Sequence, residues 1–329
     1  MTAPIEPATD TPAAMDGGGS PHAEARESQQ AQQSPRAQSR QAQQSPQAQE
    51  SPQAQQSRYV EAGGIRLHYR EAGQGPPLIC LHGGGPGADS YSSFRANIPA
   101  LAREFRLLLV DLPRFGGSEK VATGQPRLGF YATALRDFMA ATGLERASFL
   151  GNSMGGQAAM KLAIDHPELV AALVVIGSTP ITDAALAPMP AEGVRLLQQY
   201  YRGDGPSVAK MRQLMETMVY DPGLVTESAV QQRYEASVAA DVLAMYAPGR
   251  AQPKLEFLDG QLGALKAPTL LVWGAQDRAG PLEVGLRVLR QLPHAELHVF
   301  NQCGHWAQLE HPEAFNAVVT AFLHRTRGA

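Results

Sequence analysis

The sequence predicts an α/β fold, a mostly parallel sheet flanked by helices with a helical lid inserted into it. Short apolar runs without polar alternation recur along the chain, the pattern of strands covered on both faces. Segments with helical apolar spacing alternate with these runs, as the crossovers of a parallel sheet require. That rhythm breaks once, between residues 180 and 265, where helical spacing takes over. Composition supports one large domain, because 43% of the 329 residues are hydrophobic, enough to bury a sizeable core. A formal net charge of −3 gives no broad attraction to nucleic acid or an anionic membrane. No apolar stretch approaches the ~18 residues that span a bilayer. Cys80 and Cys303 are the only cysteines, which excludes a disulfide scaffold and a four-cysteine zinc site. Each reads as a small buried hydrophobe beside a strand.

Residues 1–57 are built from Gln, Ser, Ala and Pro, with near-repeats such as Ser45-Pro46-Gln47-Ala48-Gln49 and Ser51-Pro52-Gln53-Ala54-Gln55. They hold too little Leu, Val or Phe to offset the entropy of ordering, so a disordered tail is expected. The tail lacks the apolar segment of a signal peptide, and Glu6, Asp10, Asp16, Glu24 and Glu27 argue against a transit peptide. The expected location is therefore cytoplasmic.

Order is expected from Tyr59, and residues 60–69 read as a hairpin turning at Gly63-Gly64. Strands follow at Leu78-Ile79-Cys80-Leu81, ending at His82-Gly83-Gly84-Gly85, and at Leu107-Leu108-Leu109-Val110, ending at Asp111. The run 147–150 leads into Gly151-Asn152-Ser153. Leu173-Val174-Val175-Ile176 ends at Gly177-Ser178, Leu270-Leu271-Val272-Trp273 ends at Gly274, and Leu297-His298-Val299-Phe300 comes last. The expected core domain takes residues 58–179 and 266–329, and the lid takes 180–265. Inside the lid, Val194, Leu197 and Tyr201, then Met211, Leu214, Met215 and Met218, carry helical spacing.

Gly151-Asn152-Ser153-Met154-Gly155 fits the Gly-x-Ser-x-Gly pattern, between a strand-like run and a helix-like one at 157–164. Glycines suit a sharp strand-to-helix turn that projects a serine hydroxyl clear of the sheet. The helix start aims free N–H groups at whatever is bonded to that hydroxyl. Alone, the pattern also fits a Gly-Ser turn that only caps a helix. A serine nucleophile needs a base, and the base needs an orienting carboxylate. Asp277 follows one strand and His305 another, giving the chain order Ser153, Asp277, His305 expected of an α/β-hydrolase. Asp111 also ends a strand and reads as a loop-shaping residue or as a substitute for Asp277. His166 and His311, each before a proline, have weaker claims. His82-Gly83-Gly84-Gly85-Pro86-Gly87 lets a backbone N–H approach a reacting carbonyl and pair with that of Met154 in an oxyanion hole. The Lys-Ser/Thr pair of a phosphate-binding loop is absent from it.

From Tyr59 onward the chain resembles the meta-cleavage product hydrolases of the α/β-hydrolase superfamily. The resemblance rests on residues 81–88 and 151–156, on Ala187-Pro188-Met189-Pro190-Ala191-Glu192-Gly193, and on Cys303-Gly304-His305-Trp306-Ala307-Gln308. Tyr220-Asp221 and Gln232-Arg233-Tyr234-Glu235-Ala236 add to it. It implies hydrolysis of a C–C bond in a 2-hydroxy-6-oxo-hexa-2,4-dienoate to a 2-hydroxypenta-2,4-dienoate and a carboxylic acid. Such cleavage requires the dienol to become its keto tautomer, so that the departing electrons delocalise into a conjugated enolate. The implied roles are nucleophile for Ser153, acid/base for His305, orienting carboxylate for Asp277, and oxyanion hole for the Gly84 and Met154 N–H groups. Gly83, Gly85 and Ser93 are expected against the substrate. Arg233 and Asn152 would hold its carboxylate and 2-oxygen, and Trp306 would pack on the dienoate. An arginine matches a carboxylate with two parallel hydrogen bonds. The competing readings are a lid salt bridge of Arg233 with Glu235 and plain core packing of Trp306.

The implied partners are a small-molecule dienoate and water, with no cofactor, metal, nucleic acid or membrane; relatives often form dimers or larger assemblies, which leaves a homo-oligomer open. Four positions depart from the family pattern: Ser93 where many relatives have Asn, Arg114 in place of a usual glycine, and the small Ala279 and Gly280 after Asp277-Arg278. Arg114 is expected to add charge near the mouth of the site. Two further readings stand beside the C–C hydrolase: a carboxylesterase or lactonase on the same fold, and a non-catalytic binding protein.

Overall fold

A computed structural model describes residues 56–182 and 190–327. The expected tail up to residue 55 and residues 187–189 of the lid motif lie outside the described residues. Eight strands, β1 (Ser57–Ala62), β2 (Ile65–Ala72), β3 (Pro77–Leu81), β4 (Arg106–Val110), β5 (Ala147–Asn152), β6 (Val170–Ile176), β7 (Thr269–Gly274) and β8 (Ala295–Phe300), form one sheet in the order β1-β2-β4-β3-β5-β6-β7-β8. Only β2 runs against its neighbours; the other pairings are parallel. The helices are α1 (Ser90–Phe94), α2 (Ile98–Leu101), α3 (Arg127–Ala141), α4 (Met154–Asp165), α5 (Glu192–Gln199), α6 (Val208–Thr217), α7 (Glu227–Ser237), α8 (Ala240–Met245), α9 (Leu282–Gln291), α10 (Ala307–Glu310) and α11 (Pro312–Thr326).

Strand β1 begins at Ser57, which pairs with Arg70, two residues before the expected Tyr59. Gly63 and Gly64 have φ of 59° and 81°, so the hairpin closes on two left-handed residues, the geometry that matches strand twist. The apolar strands are continuous because both faces are covered. Ile79 and Leu81 of β3 belong to the core cluster with Phe138 of α3, Leu162 of α4 and Val284 of α9. Leu78 and Cys80, one step out of phase, join Phe94 of α1, Leu101 of α2 and Phe315 of α11. The last strand departs from that expectation: β8 is an edge strand, and Val299 remains exposed. Cys80 and Cys303 are both buried and free.

Between β6 and β7 the chain leaves the sheet and forms α5 to α8. Met211, Leu214 and Met215 are buried on one face of α6, as their spacing indicates. Among the described residues no helix is long and apolar enough to cross a membrane.

Candidate active site

Ser153 sits between β5 and α4 with φ of 52°, a left-handed conformation that a non-glycine residue adopts only under strain. Its N–H donates to Ile176 O at 2.7 Å. Gly155 shows why this turn is tight: a Cβ there would lie 2.6 Å from the carbonyl oxygens of both Leu81 and His82. The loop after β3 lies against the turn. A Cβ on Gly83 would be 3.4 Å from Ser153 Cβ, and one on Gly84 would be 3.0 Å from Met154 Sδ. Met154 opens α4, where the first N–H groups have no partner inside the helix. The Gly84 and Met154 backbones therefore adjoin beside the serine.

His82 fixes that loop. Leu112 N–H donates to its Nε2 at 3.1 Å, so the proton sits on Nδ1, which donates to Gly83 O at 2.8 Å. Burial lowers its pKa and keeps the ring neutral, against the pull of Asp111. The residue carries no reacting proton, and its structural role was not legible from the motif alone.

His305 Nδ1 donates to Asp277 Oδ2 at 2.7 Å. Asp277 Oδ1 accepts the N–H groups of Ala279 at 2.8 Å and Gly280 at 2.7 Å, so its side chain is a fully buried, fully occupied acceptor. Asp111 does not replace it. That carboxylate accepts from His68 Nδ1 at 2.7 Å and from the Ser90 and Gly117 N–H groups at 2.9 Å each. Burial pushes the Asp111 pKa up, but the His68 bond and the two N–H groups together hold it below its ordinary value. Asp111 shapes the loop that follows β4.

A cavity of about 30 Å³ joins the remaining pieces. Gly83, Gly84, Gly85, Ser93, Asn152 and Ser153 line it from the sheet side. Leu197, Leu214, Met218 and Arg233 line it from the insert, with His305 and Trp306 completing the wall. Asp277 reaches it through His305. Ser153 and His305 share the cavity without a direct hydrogen bond in this state, which is common before a substrate draws such groups together. Asn152 does more than line it: its Nδ2 donates to His305 O at 3.3 Å and to Ile176 O at 3.4 Å. The amide expected on the substrate's 2-oxygen thus holds the histidine loop.

Arg233, on α7, is half-buried, and its Nε donates to Pro86 O at 3.1 Å. Among the described residues no carboxylate lies within salt-bridge distance of it, and Glu235 is bonded to Gln231 Nε2 instead. Burial lowers the guanidinium pKa, and Asp89, further off, partly restores it. Its Cζ stands 5.3 Å from the centroid of the Trp306 ring. Trp306 lines the cavity and also packs on the Met211 and Leu214 clusters. Arg114 is not at the mouth. At φ of 82° it turns inward, is buried, and donates to Val121 O at 2.8 Å and Gln252 Oε1 at 2.7 Å. Its charge ties the loop after β4 to the end of the insert. Among the described residues no cluster of three or more His, Cys, Asp or Glu is arranged to hold a metal ion.

Residues 76–312 match the family model of the alpha/beta hydrolase fold. The 2-hydroxy-6-oxononadienedioate/2-hydroxy-6-oxononatrienedioate hydrolase of a Pseudomonas species is 39% identical over 270 residues, which cover 79% of this chain and 92% of that protein. Its namesake from Paraburkholderia phymatum is 39% identical over 276 residues, covering 81% and 95%. The solved meta-cleavage product hydrolase of Pseudomonas fluorescens is similar with a TM-score of 0.73 at 30% identity, covering 82% of this chain and 98% of that one. The 2-hydroxy-6-oxo-6-phenylhexa-2,4-dienoate hydrolase of a Rhodococcus strain gives a TM-score of 0.70 at 30% identity, with the same coverage of 82% and 98%. By fold, strand-end loops and overall likeness, the chain belongs to the α/β-hydrolase family and, within it, to the meta-cleavage product hydrolases.

Proposed function

We propose that this protein hydrolyses the C–C bond of a 2-hydroxy-6-oxo-hexa-2,4-dienoate, yielding a 2-hydroxypenta-2,4-dienoate and a carboxylic acid. The observation that supports it best is Arg233, a half-buried cation that lines the cavity of Ser153 and has no ionic partner among the described residues. Partial desolvation of an unpaired charge is unfavourable, and an incoming carboxylate offsets that cost with two parallel hydrogen bonds. A neutral ester supplies no such anion.

In this reading the dienoate carboxylate docks on Arg233 and the 6-oxo group lies at the Gly84 and Met154 N–H groups. His305, oriented by Asp277, takes the proton of the 2-hydroxyl and delivers it to C5, giving the keto tautomer. Ser153 Oγ then gives its proton to His305 and attacks C6. The C5–C6 bond breaks, its electrons pass into the conjugated enolate, and His305 returns the proton to the departing dienol. Water, deprotonated by His305, releases the carboxylic acid from Ser153. Leu197, Leu214 and Met218 offer the acyl half an apolar wall. Residues 180–265 act as a lid over this cavity, contributing Leu197, Leu214, Met218 and Arg233 to its wall. The setting is that of a cytoplasmic enzyme whose partners are the dienoate and water.

Arg233→Met is expected to lower kcat/KM for the dienoate about 100-fold while changing turnover of a neutral aryl ester less than about threefold. Steady-state kinetics on both substrates check this. An equal loss on both, or turnover of the ester alone by the wild type, favours an esterase instead.

A further inference from the structure

Glu310 ends α10, five positions after His305, and its carboxylate forks between two segments. Oε1 accepts the Gly304 N–H at 2.7 Å, and Oε2 accepts the Tyr220 N–H at 2.7 Å. The Asp221 N–H faces the same carboxylate. Gly304 precedes His305 directly, whereas Tyr220 and Asp221 belong to the turn that leaves α6 in the insert. A further bond joins the same two segments: His305 N–H donates to Met218 O at 2.8 Å. Their backbones are in contact, since a Cβ on Gly304 would lie 2.8 Å from Met218 O. Met218 and His305 both line the cavity.

We propose that Glu310 is a positioning residue that clamps the 218–221 turn of the insert to the His305 loop, so that the imidazole keeps its place in front of Ser153. The proposal rests on the roles given to Ser153 and His305 above. Glu192 at the start of α5 meets Arg278 through an ion pair in which both partners are exposed, the kind that contributes little. The 218–221 turn meets the histidine segment through the Tyr220 N–H on Glu310 and the His305 N–H on Met218 O, while Glu310 also holds the Gly304 N–H. The Gly304, Tyr220 and Asp221 groups facing Glu310 are all N–H donors, so only a side chain with two acceptor oxygens serves them on both sides. An amide of the same shape turns its own N–H toward one of them.

The test uses Glu310→Gln and Glu310→Ala in the whole chain. One readout is the rate at which a neutral aryl fluorophosphonate labels Ser153, which needs the serine and its base but no dienoate. The other is kcat and KM on a 2-hydroxy-6-oxo-hexa-2,4-dienoate. Glu310→Gln is expected to slow labelling and kcat by about 10- to 100-fold, the scale of a displaced catalytic group, with KM within about twofold. Glu310→Ala is expected to lose more; if it fails to fold, the isosteric Gln variant decides. Labelling at the wild-type rate in Glu310→Gln, or a loss confined to KM, overturns the clamp. Failure of the wild type to be labelled overturns instead the roles of Ser153 and His305.

Discussion

Two histidine–aspartate pairs in this molecule are built alike, and only one of them shares a cavity with a nucleophile. His305 Nδ1 meets Asp277 Oδ2 at 2.7 Å, and His68 Nδ1 meets Asp111 Oδ2 at 2.7 Å. Each carboxylate also accepts two backbone N–H groups, Ala279 and Gly280 in one case, Ser90 and Gly117 in the other. All four side chains are buried. The difference lies in what surrounds each imidazole. His305 borders the space in front of Ser153, and its loop is held by Asn152 and Met218. His68 lies on antiparallel β2, with its ring tilted against Tyr59 and so close to Gly117 that a Cβ there would come within 2.7 Å of it. The first pair is arranged to pass a proton to a neighbour. The second locks a loop. Pair geometry alone does not separate a reacting dyad from a structural one; access of the remaining ring nitrogen does.

Substitutions sharpen that contrast. His305→Ala is expected to cut turnover of the dienoate by about 10⁴-fold or more, and Asp277→Asn by about 10⁴-fold through loss of the correct tautomer. His68→Ala is expected to keep turnover within about threefold once folded, measured by the same loss of dienolate absorbance. Comparable losses at His68 and His305 would break the distinction.

The structural pair shows itself in stability instead. Asp111→Asn is expected to destabilise the fold by about 3 kcal/mol at neutral pH, because it disrupts a buried ionic hydrogen-bond set. The folded pKa of Asp111 lies below the unfolded one. Its contribution is therefore present above the unfolded carboxylate range, near pH 4, and fades as pH falls through the folded value. Denaturant unfolding at neutral and at acid pH is expected to show the wild type and Asp111→Asn converging as the pH drops. A gap that stays constant would mean that the carboxylate charge contributes nothing.

What the sequence revealed follows the same division. Strands β3 to β7 were legible because both faces of each are covered, leaving unbroken apolar runs. The edge strand β8 was read as equally buried, yet only part of it is covered. Helix α4 begins at Met154, three residues before the sequence pattern suggests. Gly155 and Gly156 lower helix propensity, but close packing of the turn on β3 and β6 requires small residues there. Ser153, Asp277 and His305 stood out because each follows a strand, where topology gathers residues far apart in sequence. Asp111 met the same criterion, and its partner His68, 43 positions away, carried no signal of the pairing. The hydrogen bonds of Asn152 to the histidine loop were hidden likewise, since a strand-end amide reads the same whether it faces substrate or backbone.

The most direct test is to give the wild-type chain a 2-hydroxy-6-oxo-hexa-2,4-dienoate in water enriched in heavy oxygen, following the dienolate colour and the mass of the acid released. The colour should vanish at a rate proportional to enzyme, and the acid should carry one oxygen from the solvent. Ser153→Ala should show at most the spectral change of tautomerisation and release no acid. Persistence of the dienoate in the presence of a chain whose Ser153 still turns over aryl esters would contradict carbon–carbon hydrolysis.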